Sequence, residues 1–155
     1  MRKSLTYTNS EYSFSVDYPA DWDVREGFTG LAVVFAGPKV LKGIYDVNIS
    51  VNAERLSQEI ALKDYVTASD LKAKKTIPNY NKVQEYSATI NGLPAVVLVA
   101  ALLLKWNGKK VALKNKYAIV IKDKVAYTIT YDAPAEFHDE YADCFDLVIN
   151  SFKSV

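Results

Sequence analysis

Residues 91–131 read NGLPAVVLVAALLLKWNGKKVALKNKYAIVIKDKVAYTITY, and three turn signals divide them: Asn91-Gly92, Asn107-Gly108 and, less distinctly, Asp123-Lys124. Asn-Gly is the strongest short hairpin signal, because both central residues of a type I′ turn need positive φ and these two tolerate it best. The turns predict a four-stranded antiparallel meander from about residue 80 to 131. Its third strand (Val111, Leu113, Tyr117, Ile119, Ile121) and fourth strand (Val125, Tyr127, Ile129, Tyr131) carry large apolar residues at alternate positions. The second, Leu93 to Leu104, is apolar on both faces and is expected to be a buried, central strand. Its twelve residues include Pro94 and fall short of the roughly 20 that span a bilayer.

Upstream, Phe14-Ser15-Val16-Asp17-Tyr18 alternates in the same way before Pro19 closes it, and Trp22 and Val24 begin a short strand. Leu31 to Ala36 is apolar on both faces and is expected to end at Gly37-Pro38. Tyr45, Val47, Ile49, Val51 and Ala53 alternate with Asp46, Asn48, Ser50 and Asn52. Leu62, Tyr65, Val66, Ser69 and Ala73 then recur at helical spacing over 61–76, with Lys72, Lys74 and Lys75 where positive charge suits a helix C-terminus. Downstream, Pro134 is expected to start a closing helix, since a proline in the first turn forfeits no helical hydrogen bond. Phe137, Tyr141, Cys144, Phe145, Val148 and Phe152 share one face of it, with Glu136, Asp139, Glu140, Asp143 and Asp146 opposite.

A chain of 155 residues, half of them apolar, suffices for one core, and no linker or repeat divides it, so 1–155 is expected to be a single domain. With 19 basic against 18 acidic side chains, no global field draws it to nucleic acid or to an anionic membrane, and any electrostatic partner must be met by a local patch. One cysteine allows no intramolecular disulfide and no Cys-based zinc site. The start, Met1-Arg2-Lys3-Ser4-Leu5-Thr6-Tyr7, has no apolar run of signal-peptide length. A cytoplasmic location is expected if the chain is the complete native product, an extracytoplasmic one if a leader has been removed.

Phe14-Ser15-Val16-Asp17-Tyr18-Pro19-Ala20-Asp21-Trp22 resembles the entry strand of the PsbP-like and Mog-type family, in which an aromatic strand ends in Tyr-Pro and a Trp follows. The order of elements is similar over nearly the whole chain: Val47-Asn48-Ile49-Ser50-Val51, a helix, an Asn-Gly turn, a meander ending in Tyr127-Thr128-Ile129-Thr130-Tyr131, and a last helix reaching Ser151-Phe152-Lys153. The resemblance implies an α+β fold of three layers, a central antiparallel sheet flanked by helices, used for docking rather than chemistry. The family spans extrinsic subunits of the photosynthetic oxygen-evolving complex, bacterial lipoproteins and secreted proteins, and a binder of the GTPase Ran. Tyr18, Pro19 and Trp22 are the matched positions, and their expected role is packing.

Constellations that could carry chemistry are few. His138 and Cys144, six positions apart on the expected helix, differ by a net 120° or so and cannot meet as a catalytic pair. Cys144 reads as a buried structural thiol and His138 as a boundary residue. Asp17, Asp21 and Asp23 stand close in sequence; they read as solvated strand and turn residues, with a weak site for a hard cation such as calcium as the alternative. Lys105, Trp106, Lys109 and Lys110, followed by Lys114 and Lys116, gather five lysines with no acid among them around the Asn107-Gly108 turn. Such lysines serve to blunt a sheet edge against aggregation, or they form an anionic-partner docking patch with Trp106 as its anchor.

The expected function is therefore a non-catalytic binding or accessory module without a cofactor, docking on a protein or on a peripheral membrane complex. The alternative is a small-ligand or divalent-cation binding protein with a pocket between sheet and helix.

Overall fold

The computed structural model describes residues 3–106 and 108–155, apart from the side chain of Trp106. In chain order the strands and helices are β1 (Ser4–Asn9), β2 (Phe14–Pro19), β3 (Asp23–Arg25), β4 (Val33–Val40), β5 (Tyr45–Arg55), α1 (Leu62–Thr76), β6 (Asn81–Ile90), β7 (Leu93–Trp106), β8 (Lys109–Lys122), β9 (Val125–Pro134), α2 (Ala142–Ser151) and β10 (Lys153–Ser154). Two sheets result, both antiparallel: a seven-stranded one in the order β3-β4-β5-β9-β8-β7-β6 and a small one in the order β1-β2-β10.

Strand alternation explains the layers. Ala95, Val97, Ala118 and Val120 point into the main core with Phe14, Val16, Phe35, Ile129, Phe145, Val148 and Phe152, so the small sheet and α2 cover that face. Val96, Leu98, Tyr117 and Ile119 occupy the intervening positions and meet Val66 of α1 on the other face. The chain is thus α+β, with helices on both faces of a central antiparallel sheet.

The predicted meander is present as β6 to β9. Asn91 and Gly92 both take positive φ, as do Asp123 and Lys124, the conformation a two-residue hairpin turn demands. Asn107 lies outside the described residues.

Three expectations need correction. The strand expected to end at Gly37-Pro38 runs on to Val40, with a register shift between Ala36 and Lys39. Proline has no N–H to give the ladder, and the irregularity is what lets the strand continue past it. The closing helix does not begin at Pro134, which pairs with Leu113 at the end of β9. Two 3₁₀ turns, Ala135–Phe137 and Asp139–Tyr141, intervene before α2. Finally, β7 is second from the sheet's edge, and only its first half is buried: Leu98 and Ala100 are fully covered, whereas Leu103 is 43% and Leu104 36% exposed.

Candidate functional site

The exposed leucines mark a distinct piece of architecture. β6 pairs with β7 only as far as Asn81 opposite Ala101, and β9 pairs with β8 only as far as Pro134 opposite Leu113. Among the described residues, Leu103–Trp106 and Lys109–Ala112 therefore pair with each other alone. They form a two-stranded ribbon with both edges open, extending beyond the sheet by about four or five residues at roughly 3.4 Å each. Lys105 stands directly opposite Lys110, and Lys109 opposite Trp106. Like charges face to face destabilise a strand pair, and large apolar side chains gain nothing in water, so packing accounts for neither feature. A groove of about 350 Å³ at the ribbon's base is lined by Val83, Ala101, Leu103 and Ala112. From Tyr86 to Lys122 the chain carries Lys105, Lys109, Lys110, Lys114, Lys116 and Lys122 and no acid.

The six residues grouped around the turn in sequence divide in two. Lys105, Lys109 and Lys110 are exposed on the ribbon, and the Trp106 side chain lies outside the described residues. Lys114 and Lys116 are half-buried farther back; the Lys116 ammonium sits 5.6 Å from the centre of the Phe145 ring.

His138 is no boundary residue. It lies between the two 3₁₀ turns, is 3% exposed, and neither ring nitrogen has a hydrogen-bond partner among the described residues. Its ring centre is 4.5 Å from that of Tyr131, whose hydroxyl donates to the His138 carbonyl at 2.6 Å. Burial, helped by Lys114 nearby, pulls its pKa down to about 4. Cys144 is buried on α2.

The aspartates do not converge. Asp17 accepts from the Thr6 hydroxyl at 2.7 Å across β1 and β2, Asp23 stands 3.9 Å from Arg25, and Asp21 is exposed. Among the described residues no three His, Cys, Asp or Glu side chains could share a metal ion. Pro19 and Trp22 are both buried; the Trp22 backbone N–H donates to the Pro19 carbonyl at 3.0 Å, and Tyr18 stacks on Phe35 at 4.7 Å.

Two features escape sequence reasoning. Asp70, buried on α1, takes Lys74 at 3.1 Å and Lys82 at 3.2 Å. Tyr80 donates to it at 3.4 Å and meets the Tyr117 hydroxyl at 2.7 Å, so one carboxylate ties helix to sheet. The Asp70–Lys74 spacing was a visible signal; Lys82 was not, because it arrives from β6. Burial works to raise the Asp70 pKa, but the two lysines outweigh it and hold the carboxyl below its usual range. The second feature is a cleft of about 550 Å³ between the β1–β2 turn and the 26–32 loop, lined by Tyr7, Glu11, Tyr12, Glu26 and Phe28 among others. The Tyr7 hydroxyl donates to Glu26 at 2.6 Å, and burial with that carboxylate pushes its pKa up to about 12. The cleft lies between loops, not between sheet and helix as expected.

A family model described as PsbP-like protein matches residues 2–154. The chain belongs to the PsbP-like family. Solved structures share its fold at low identity. Cyanobacterial PsbP (CyanoP) from Synechocystis sp. PCC 6803 is 17% identical over 100% of this chain and 94% of its own, with a TM-score of 0.73. LpqN of Mycobacterium tuberculosis, involved in cell envelope biogenesis, is 13% identical over 97% and 90%, with a TM-score of 0.70. The Ran-binding protein Mog1p of Saccharomyces cerevisiae is 12% identical over 100% and 97%, with a TM-score of 0.64. No curated protein matches the sequence. PsbP-like and Mog-type proteins are generally non-catalytic. Among the described residues of this PsbP-like chain, no helix is long and apolar enough to cross a membrane.

Proposed function

We propose that this PsbP-like chain is a non-catalytic docking module that attaches to a protein or membrane-associated complex through the β7–β8 ribbon. One observation carries the reading: a two-stranded projection, unpaired on both edges, presents three lysines and two exposed leucines that the domain's own packing leaves unused. Lysine charge acts within about 8 Å at physiological ionic strength and mainly raises association rate, while apolar contact slows dissociation. That a protein of the same fold is named as Ran-binding supports docking as a use of this fold, not Ran as the partner. The test is a pull-down from native extract with the parent and a Lys105/Lys109/Lys110→Glu variant in parallel. A partner lost by the variant alone supports the proposal; equal recovery by both removes it.

The 550 Å³ cleft favours a second reading, a small-ligand binding protein, since ligand sites occupy about 300–1,000 Å³. A thermal-shift screen of small organic cations and of calcium addresses it: a raised Tm abolished by Glu26→Gln supports the cleft, and an unmoved Tm throughout rejects these ligands.

A further inference from the structure

We infer that the ribbon's partner is an extended acidic segment of another protein, which adds as a strand to the open edge of β7 beyond Asn81 and brings a carboxylate to Lys105 and Lys110. This rests on the docking reading above and names its partner. Strand alternation separates the two faces of the ribbon. Ala95 and Val97 point toward the core that α2 covers, and the β7–β8 register runs unbroken to the turn. Leu103 and Lys105 therefore lie on the α2 side, opposite Ala112 and Lys110. Lys114 and Lys116 continue the same row, in agreement with the place of the Lys116 ammonium over Phe145 of α2. On this side Ala101, Leu103, Lys105, Lys110 and Ala112 are all exposed, whereas Leu102, Val111 and Leu113 on the other side are half-buried or buried. The ribbon thus has one open face, apolar at its base and cationic toward the turn. Among the described residues, Lys105, Lys110 and Lys114 make no ion pair.

The edge beside that face is open too. β6 leaves its place next to β7 at Asn81, opposite Ala101, so the outward N–H and C=O groups of Leu103–Lys105 have no strand partner among the described residues. A strand seated there extends the row that β6 begins, antiparallel like every other pair in the sheet, and its side chains meet the ribbon in a fixed order. The residue beside Leu103 enters the groove of about 350 Å³ lined by Val83, Ala101, Leu103 and Ala112, which suits a large apolar side chain. Its neighbour points to the other face, beside Leu104, which is 36% exposed. The residue after that, about 7 Å nearer the turn, comes beside Lys105 and within reach of Lys110, where an anion relieves the repulsion of the opposed pair. Lysines on an open edge turn away neutral and basic strands, so the residues that guard this edge against aggregation also select an acidic occupant. Nucleic acid would use the lysines and leave the groove empty.

The experiment is fluorescence anisotropy with a synthetic peptide, Gly-Ser-Glu-Thr-Glu-Val-Leu, labelled at its N-terminus and amidated at its C-terminus, each protein variant being checked for its fold by circular dichroism. The parent should bind it about tenfold or more tighter than the same peptide with glutamine for both glutamates. Lys105→Glu/Lys110→Glu should weaken binding by about tenfold or more, while Lys72→Glu/Lys75→Glu, the same change in net charge on exposed positions of α1, should bind like the parent. Leu103→Ser should weaken binding by removing the groove's apolar wall. Alternate residues of an added strand face β7, so methylating the peptide's backbone nitrogens at alternate positions should abolish binding in one phase and spare it in the other. The inference is overturned if the parent does not prefer the glutamate peptide, if the ribbon and α1 charge variants bind alike, or if both methylation phases act equally. If the peptide fails but the ribbon variant still loses a protein in the pull-down, the docking function stands and only the acidic strand falls.

Discussion

The pKa shifts of Asp132 and His138 are opposite, so the two residues change stability in opposite senses over the same pH range. Burial, only partly offset by Asn115's hydrogen bond, raises Asp132 from 3.8 to about 6, so its contribution to stability is complete below pH 4 and is lost as pH rises through 6. His138 is lowered from 6.5 to about 4, so its contribution is complete above pH 6.5 and is lost as pH falls through 4. The two slopes oppose each other between pH 4 and 6. Urea midpoints of the parent should therefore change little across that window, Asp132→Asn should lose stability on acidification, and His138→Gln should gain it. Parallel slopes in both variants would reject the assignment. Trp22 offers a steric test at the same scale. A Cβ on Gly37 would meet the Trp22 ring at 2.7 Å, so the indole lies flat on this glycine. Trp22→Ala should cost about 3–5 kcal/mol and Gly37→Ala about 1–3 kcal/mol in urea unfolding. Because they share one contact, the double variant should cost less than the sum. The burial of Trp22 was legible from its place after Tyr18-Pro19. Gly37 was read only as a terminator, because contact with a residue fifteen positions earlier leaves no periodic trace.

At the scale of elements, periodicity sufficed where a strand or helix has one dry face, as in β5, α1 and β9; β8 is instead covered on both faces from Tyr117 to Val120, and β2 buries Ser15 along with its apolar positions. It misled where two causes give one pattern. Leu93 to Leu104 is apolar throughout, but it is buried only as far as Ala100, and Leu103 and Leu104 lie on an exposed projection. Likewise the run after Pro134 has a helical stripe, yet Pro134 is committed to β9 and the helix cannot form until Ala142. The hold of α1 on the sheet was hidden for a related reason, since Asp70 draws on Lys82 and Tyr80 from beyond the helix. Asp70→Asn keeps the shape but removes the charge both lysines meet. A loss of about 1–3 kcal/mol in urea unfolding is expected, smaller than for a fully buried pair because both lysines are partly exposed. An unchanged midpoint would mean that α1 is held by Val66 and its apolar neighbours alone.

For the molecule as a whole, the ribbon should be separable from the fold. Replacing Leu103–Ala112 by Asn-Gly keeps Leu102 opposite Leu113 and the same pairing parity at the turn. This shortened chain should unfold within about 0.5 kcal/mol of the parent, since among the described residues no buried side chain is lost, while failing to recover in the pull-down a partner that the parent recovers. A large drop in stability would show that the projection serves the core. The candidate site was legible in the sequence as lysines about an Asn-Gly turn; its projecting character was not, because that depends on where β6 and β9 stop. The small sheet was equally hidden, for β10 is two residues long and is recruited by β2. That recruitment has a consequence for the order in which the protein can be made. The Asp17 N–H donates to the Ser151 hydroxyl, Phe14 stacks on Phe152, and Val155 reaches back to the Ser13 carbonyl. At roughly 5–20 residues per second, β2 leaves the ribosome on the order of ten seconds before the segment that completes its surroundings exists. A nascent chain stalled before α2 would carry Phe14 and Val16 uncovered, a surface for chaperones to hold and for degradation to recognise until α2 and β10 are made and close it.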